Sequence, residues 1–134
     1  YDAKKRVYRY ILKDGDSNPF YDDFITFEKN INFENLQNKI KLFEGKHDFR
    51  YYMKLGSDTK SSVRVIYKAF AYRYKDFIVL YFEANGFLRT QIRFMVGAIL
   101  NFDENQITAQ LNLQKKHSLK PAKCNGLYLA KIKY

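Results

Sequence analysis

Tryptophan is absent from this 134-residue sequence, and cysteine occurs once, as Cys124. A single cysteine excludes an internal disulfide, and a reducing cytoplasm fits that usage. The only two histidines, His47 and His117, stand far apart, so no cluster with zinc-ligand spacing exists and no metal is expected. Long apolar runs are missing too: nothing approaches the roughly 20 residues of a membrane span, and the start lacks the build of a signal peptide. A soluble protein with no membrane partner is expected. The sequence also lacks an initiator Met, beginning at Tyr1 in what reads as the approach to a strand, which points to a fragment of a longer chain. Acidic residues are scarce, 14 Asp and Glu against 24 Lys and Arg, giving a formal net charge of +10. That imbalance predicts a polyanionic partner, nucleic acid first.

What is present is a core. A hydrophobic content of 46% is enough to fold one domain of this length and excludes a disordered chain. Twelve Tyr and twelve Phe include possible base-stacking platforms, but aromatics favour pleated, half-buried surfaces, so most read as packing residues. The stretch "KRVYRYILK" (5–13) alternates, with Val7, Arg9 and Ile11 on one face and Tyr8, Tyr10 and Leu12 on the other. "DGDSNP" (14–19) then breaks it as a polar turn. A short strand "FITFE" precedes "NINFENLQNKIKLFEG", where Phe33, Leu36, Ile40 and Phe43 have helical spacing and Gly45 a stop. "HDF" (47–49) reads as the start of another short helical turn. "SSVRVIYKAFAYRYK" (61–75) and "FIVLYFEA" (77–84) form an antiparallel hairpin, "ENQITAQLNL" a short helix, and "GLYLAKIKY" (126–134) a last strand. Without repeats or linkers, residues 1–134 are one α+β domain, an antiparallel β-sheet with its helices on one face.

One helix carries an oddity. In "NGFLRTQIRFMVGAIL" (85–100), Leu88, Ile92, Met95 or Val96, and Ile99 make a core stripe, and Arg89 and Arg93 stand four apart on a neighbouring stripe with Gly97, which leaves room for another backbone. Two arginines there either snorkel to solvent or line a cleft that holds an anion. Periodicity does not choose between them.

"RVYRYIL" (6–12), "GKHDF" (45–49), "NGFLRTQIRFMVGAIL" and "GLYLAKIKY" follow one another in the order and approximate spacing of the C-terminal part of TruA-type tRNA pseudouridine synthases, which the chain resembles over nearly its whole length. The resemblance implies half of a two-part fold with a basic RNA-binding cleft. It implies a homodimer that isomerises uridine to pseudouridine in the anticodon arm of tRNA without metal or organic cofactor. By the same resemblance, Tyr8 matches the family's active-site tyrosine, Arg93 the arginine of its "MVR-x-x-VG" helix, and Leu127 the uracil-lining leucine of GLYL. The family's aspartate nucleophile belongs to an N-terminal half whose motif is absent here; Asp58, in "GSDTK", reads as a turn residue. Arg93 is then a cation awaiting that aspartate, unpaired in this chain, and its removal is expected to leave the chain as stable or slightly more so. Tyr8 would stack on the flipped uracil, with its hydroxyl placed for proton transfer.

Lys4, Lys5, Arg6 and Arg9 crowd the first strand, and Lys115, Lys116 and Lys120 the segment after the last helix; together with Arg89 they are candidate phosphate contacts. Two other readings stand beside this one. A stand-alone sheet-based RNA-binding module would leave the "IRFMVG" helix without a role. A dimerisation domain would leave the basic excess unexplained.

Overall fold

The computed structural model describes residues 4–56 and 59–134; Asp58 lies outside the described residues. A six-stranded sheet forms the frame. Strand β1 (Lys5–Asp14) lies within it, paired antiparallel with β5 (Phe77–Ala84) on one side and with β6 (Leu127–Lys133) on the other. Strand β4 (Val63–Tyr74) pairs antiparallel with β5 and with β3 (Gly45–Asp48). Lys75 and Asp76 alone separate the two long strands of the hairpin, Lys75 with φ +53°.

One pairing departs from the antiparallel expectation. Strand β2 (Thr26–Glu28) runs parallel to the end of β1, Leu12 opposite Thr26. Parallel neighbours need a crossover instead of a tight turn. Residues 15–25 supply it: the chain leaves β1 at Gly15, φ +128°, and coils on itself, the Tyr21 and Asp22 N–H groups donating to the Asn18 carbonyl. The α+β class stands, with a mixed sheet.

Three helices cover one face. Helix α1 (Phe33–Lys41) is capped by Asn32, whose side chain accepts from the Asn35 N–H, and buries Leu36 and Ile40. Helix α3 (Glu104–Leu111) starts at a capping box built by Asp103 and Gln106. Helix α2 (Gln91–Asn101) buries Ile92, Met95, Val96 and Ile99. These meet Tyr10 and Leu12, Ile66, Ala69 and Ala71, and Ile78, Leu80, Phe82 and Ala84 from the sheet, the alternation expected of a pleated surface with one face on the core. The helical turn expected from residue 47 begins later. His47 and Asp48 extend β3, and Arg50–Tyr52 make a 3-10 turn.

The opposite sheet face carries no helix among the described residues. There Phe70 stacks on Tyr81 with ring centroids 4.6 Å apart. Glu83, almost wholly buried, takes hydrogen bonds at 3.0 Å from both Lys133 Nζ and the Tyr81 hydroxyl, with Lys5 Nζ at 3.7 Å. This cluster ties β5, β1 and β6 together. No helix among the described residues is long and apolar enough to cross a membrane.

Candidate active-site cleft

Helix α2 begins later than its apolar pattern suggests, and the delay shapes the site. Thr90 takes a left-handed conformation, φ +66°, a strained choice for a β-branched residue, and only from its carbonyl does the helix run on, to the Phe94 N–H. The fully buried Gln91 holds the turn, its Oε1 accepting from the Leu88 N–H at 2.8 Å. Arg89 therefore precedes the helix, exposed, with its carbonyl accepting from the Lys54 N–H, and the two arginines do not share a helical stripe.

The first turn of α2 opens into a cleft of about 280 Å³ lined by Tyr8, Phe87, Arg89, Thr90, Arg93 and Leu127, among others. Strand β1 brings Tyr8 because its helix-side residues alternate as Arg6, Tyr8, Tyr10. Strand β6 brings Leu127 because it pairs with β1 at Tyr10, and α2 brings Arg93. The Tyr8 ring meets Phe87 edge to face, centroids 5.3 Å apart and planes at 89°, which fixes its orientation. Its hydroxyl makes no hydrogen bond to any described residue. No carboxylate lines the cleft among the described residues, and none forms an ion pair with Arg93. Two cations, the positive end of a helix and an apolar wall can hold an anion beside a flat ring.

Arg93 is less frustrated than an unpaired cation. Its Nε–H donates to the Ala122 carbonyl at 2.7 Å, and the Ala122 N–H donates back to the Arg93 carbonyl at 2.8 Å. Residues 119–126 thus form a strap along α2. At Gly97 the strap comes so close that a Cβ would collide with the Lys120 carbonyl, so glycine there does make room for a backbone. Because a charge-assisted hydrogen bond is worth about 1.5–3 kcal/mol, this contact predicts that deleting the Arg93 side chain lowers stability, where the sequence alone led to the opposite expectation.

The candidate phosphate contacts divide. Arg89 lines the cleft, and Arg6 shares the sheet face of Tyr8. Lys5 and Arg9 point to the helix-free face, Lys5 occupied by Glu83 and by the Tyr67 ring at 4.9 Å. Lys4 is exposed, its N–H donating to the Lys133 carbonyl. Lys115 and Lys116 are exposed beyond α3, Lys116 Nζ 5.8 Å from the Tyr51 ring, and Lys120 is exposed on the strap. A larger cleft, about 740 Å³, opens between residues 15–29 and Lys123, but Asp16, Asp22, Asp23 and Glu28 line it and repel a polyanion. Size does not select the site. Phe87 and the Ala122 carbonyl escaped the sequence reading. An aromatic beside Asn85-Gly86 was a weak signal for the first, and a backbone atom leaves no signal at all.

Comparison with known proteins identifies the family. Residues 40–134 match the family model described as tRNA pseudouridine synthase. The tRNA pseudouridine synthase A of Campylobacter jejuni (strain RM1221) is 36% identical, over 100% of this chain and 58% of that protein. The protein of the same name from Helicobacter hepaticus is 38% identical, over 100% of this chain and 56% of its own length. The Wolinella succinogenes one is 36% identical, with 100% and 55% covered. This chain thus spans somewhat more than half the length of these relatives. A family match over most of the chain, on a mixed sheet that gathers Tyr8, Arg93 and Leu127 around one cleft, means that the chain belongs to the tRNA pseudouridine synthase family, of the TruA type.

Proposed function

We propose that this chain is the C-terminal half of a tRNA pseudouridine synthase acting on uridines of the anticodon arm, and that an N-terminal half brings the aspartate nucleophile to the cleft. The observation that carries the reading is Arg93, a half-buried guanidinium in a cleft with no carboxylate of its own among the described residues. Its Nε is held by Ala122, which leaves its two terminal NH2 groups for a partner; a planar fork of donors suits a carboxylate. A cleft partly emptied of water raises an aspartate's pKa, and a guanidinium beside it keeps the carboxylate ionised for attack.

The other walls fit the base. At about 280 Å³ the cleft is near the lower end of small-ligand sites, roughly 300–1,000 Å³, and takes one flipped nucleotide. Tyr8, braced by Phe87, stacks on the uracil, and its unbonded hydroxyl is available when the C5 proton leaves. Leu127 packs on the base from the other strand. Arg89 and Arg6 meet phosphates beside the cleft, Lys115 and Lys116 more distant ones, and Lys4 and Arg9 the periphery. Such contacts position RNA without reading its sequence. Neither metal nor organic cofactor has a part in the reading. The complete enzyme works in the cytoplasm as a homodimer.

Isomerisation replaces the N1–C1′ bond of uridine by C5–C1′ and releases the C5 hydrogen to water. Tritium release from C5-labelled tRNA is therefore expected to be undetectable with this chain alone and to appear when a separately expressed N-terminal half is added. Release by the chain alone at the rate of a complete enzyme would place the nucleophile within these residues and overturn the reading. Binding of tRNA with no release after reassembly would favour a plain RNA-binding module.

A further inference from the structure

Resting on the proposed role of Arg93, we infer that the Tyr10 hydroxyl is a positioning group for the reaction, acting on Arg93 through the strap. Tyr10 is fully buried, one pleat along β1 from Tyr8, and does not line the cleft. Its hydroxyl is shared between the Lys123 carbonyl and the Thr26 hydroxyl, the latter at 2.8 Å. A carbonyl only accepts, so the single phenolic proton goes to Lys123 and Thr26 donates to the phenol oxygen. Burial pushes the phenol above the usual tyrosine range, so it stays a donor at neutral pH.

Lys123 follows Ala122, whose carbonyl holds Arg93 Nε. Before its closing 3-10 turn, Cys124–Gly126, the strap is irregular, and a segment without ladder hydrogen bonds holds its shape only where outside groups pin it. Upstream, the pin is the contact between the Lys120 carbonyl and Gly97, stiffened by Pro121. Downstream, the pins are Tyr10 at Lys123 and Asn125, whose amide donates to the Asp22 carbonyl at 2.8 Å. Ala122 stays tied to α2 by its N–H, which donates to the Arg93 carbonyl at 2.8 Å, so release of the Tyr10 pin leaves the Ala122–Lys123 peptide free to rotate about that tie and lets the guanidinium turn. Lys123 also leads directly into the turn Cys124–Gly126, where Gly126 packs closest to the Ile11 carbonyl, so loss of the bond loosens the start of β6 at Leu127 as well. One phenol hydrogen bond thus sets two walls of the cleft from outside it.

The test uses the complete enzyme and compares Tyr10→Phe, Thr26→Val, Arg93→Ala and Tyr52→Phe, reading single-turnover rate, tRNA affinity and melting temperature. Tyr52 is the control: equally buried, its hydroxyl donates to the Ile107 carbonyl on another part of the core. Tyr10→Phe is expected to slow the single-turnover step about tenfold to a hundredfold, the scale of a displacement of about 1 Å at a reacting group, with tRNA Kd within twofold. Thr26→Val shifts the rate in the same direction by less. Tyr52→Phe lowers melting to a similar degree and leaves the rate within twofold. In the Arg93→Ala background Tyr10→Phe adds no further loss, because the group it positions is gone. If Arg93→Ala slows the reaction severely but Tyr10→Phe does not, or if the two losses multiply, the positioning role is wrong while the cleft reading stands. If Arg93→Ala itself keeps the rate, the cleft reading fails and takes this inference with it.

Discussion

Glu83 sets a pH dependence that reading along the strand did not suggest. Burial alone pushes its carboxyl up, but the hydrogen bonds from Lys133 and Tyr81 and the charges of Lys133 and Lys5 outweigh this and hold it below the ordinary carboxylate range. A depressed pKa means that the ionised form stabilises the fold above the unfolded pKa, and that this is lost as pH falls through the folded one. Both lysines are partly exposed, at 38% and 42%, so solvent screens the pair. Glu83→Gln is expected to lower stability at pH 7 by on the order of 1 kcal/mol, with the gap to the parent closing as the pH falls below the ordinary carboxylate range. Denaturant melts across that range check it, and a gap that persists at low pH assigns the loss to packing. Residue identity was legible where position alone fixes a face: Tyr8 and Tyr10 fall on the helix side as their alternation requires. The same alternation already separates Lys5 and Arg9 from Arg6, so their division was available from the pleat of β1. The clamp on Arg93 was not, because its acceptor is a main-chain carbonyl 29 residues away.

Elements whose periodicity is local were legible: β1, the hairpin of β4 and β5, α1, α3 and β6 lie where their patterns place them. Two features were not. The direction of β2 depends on how residues 15–25 coil, and a three-residue strand reads the same either way. The start of α2 depends on Gln91 capturing the Leu88 N–H and on a left-handed Thr90, a conformation no propensity favours for threonine. At this scale Gly97 is the sharpest test. Glycine in mid-helix costs about 1 kcal/mol relative to alanine, so an exposed Gly→Ala change stabilises. Here the added methyl meets the Lys120 backbone carbonyl, and the strap must lift from α2. Overpacking costs about 1–3 kcal/mol and the strap's hydrogen bonds add to it, so Gly97→Ala is expected to lower the melting temperature by several degrees. An unchanged or higher melting temperature would show that the strap is loosely held.

At the scale of the whole molecule, the charge excess and the family decide more than any element. The basic excess, +10 in formal charge, predicts that this chain binds tRNA through phosphates, with little preference for the anticodon arm. Neutralising about four phosphates makes affinity fall about a hundredfold between 50 and 200 mM salt; filter binding checks this, and a flat response would contradict it. The family and the three residues of the cleft were legible in short motifs, whereas the aspartate that the proposed function assigns to a second half was legible only as an absent motif. The central claim is that this cleft is one wall of a uridine-isomerising site in which Arg93 partners an aspartate from the other half and Arg89 does not. Turnover of tRNA by the complete enzyme carrying Arg93→Ala or Arg89→Ala tests it most directly. Arg93→Ala is expected to cut the rate at least a hundredfold, the scale of losing a charge partner at a reacting group, while Arg89→Ala costs only a modest loss of tRNA affinity. Near-full activity in Arg93→Ala, or loss of chemistry in Arg89→Ala with Arg93→Ala active, would contradict it.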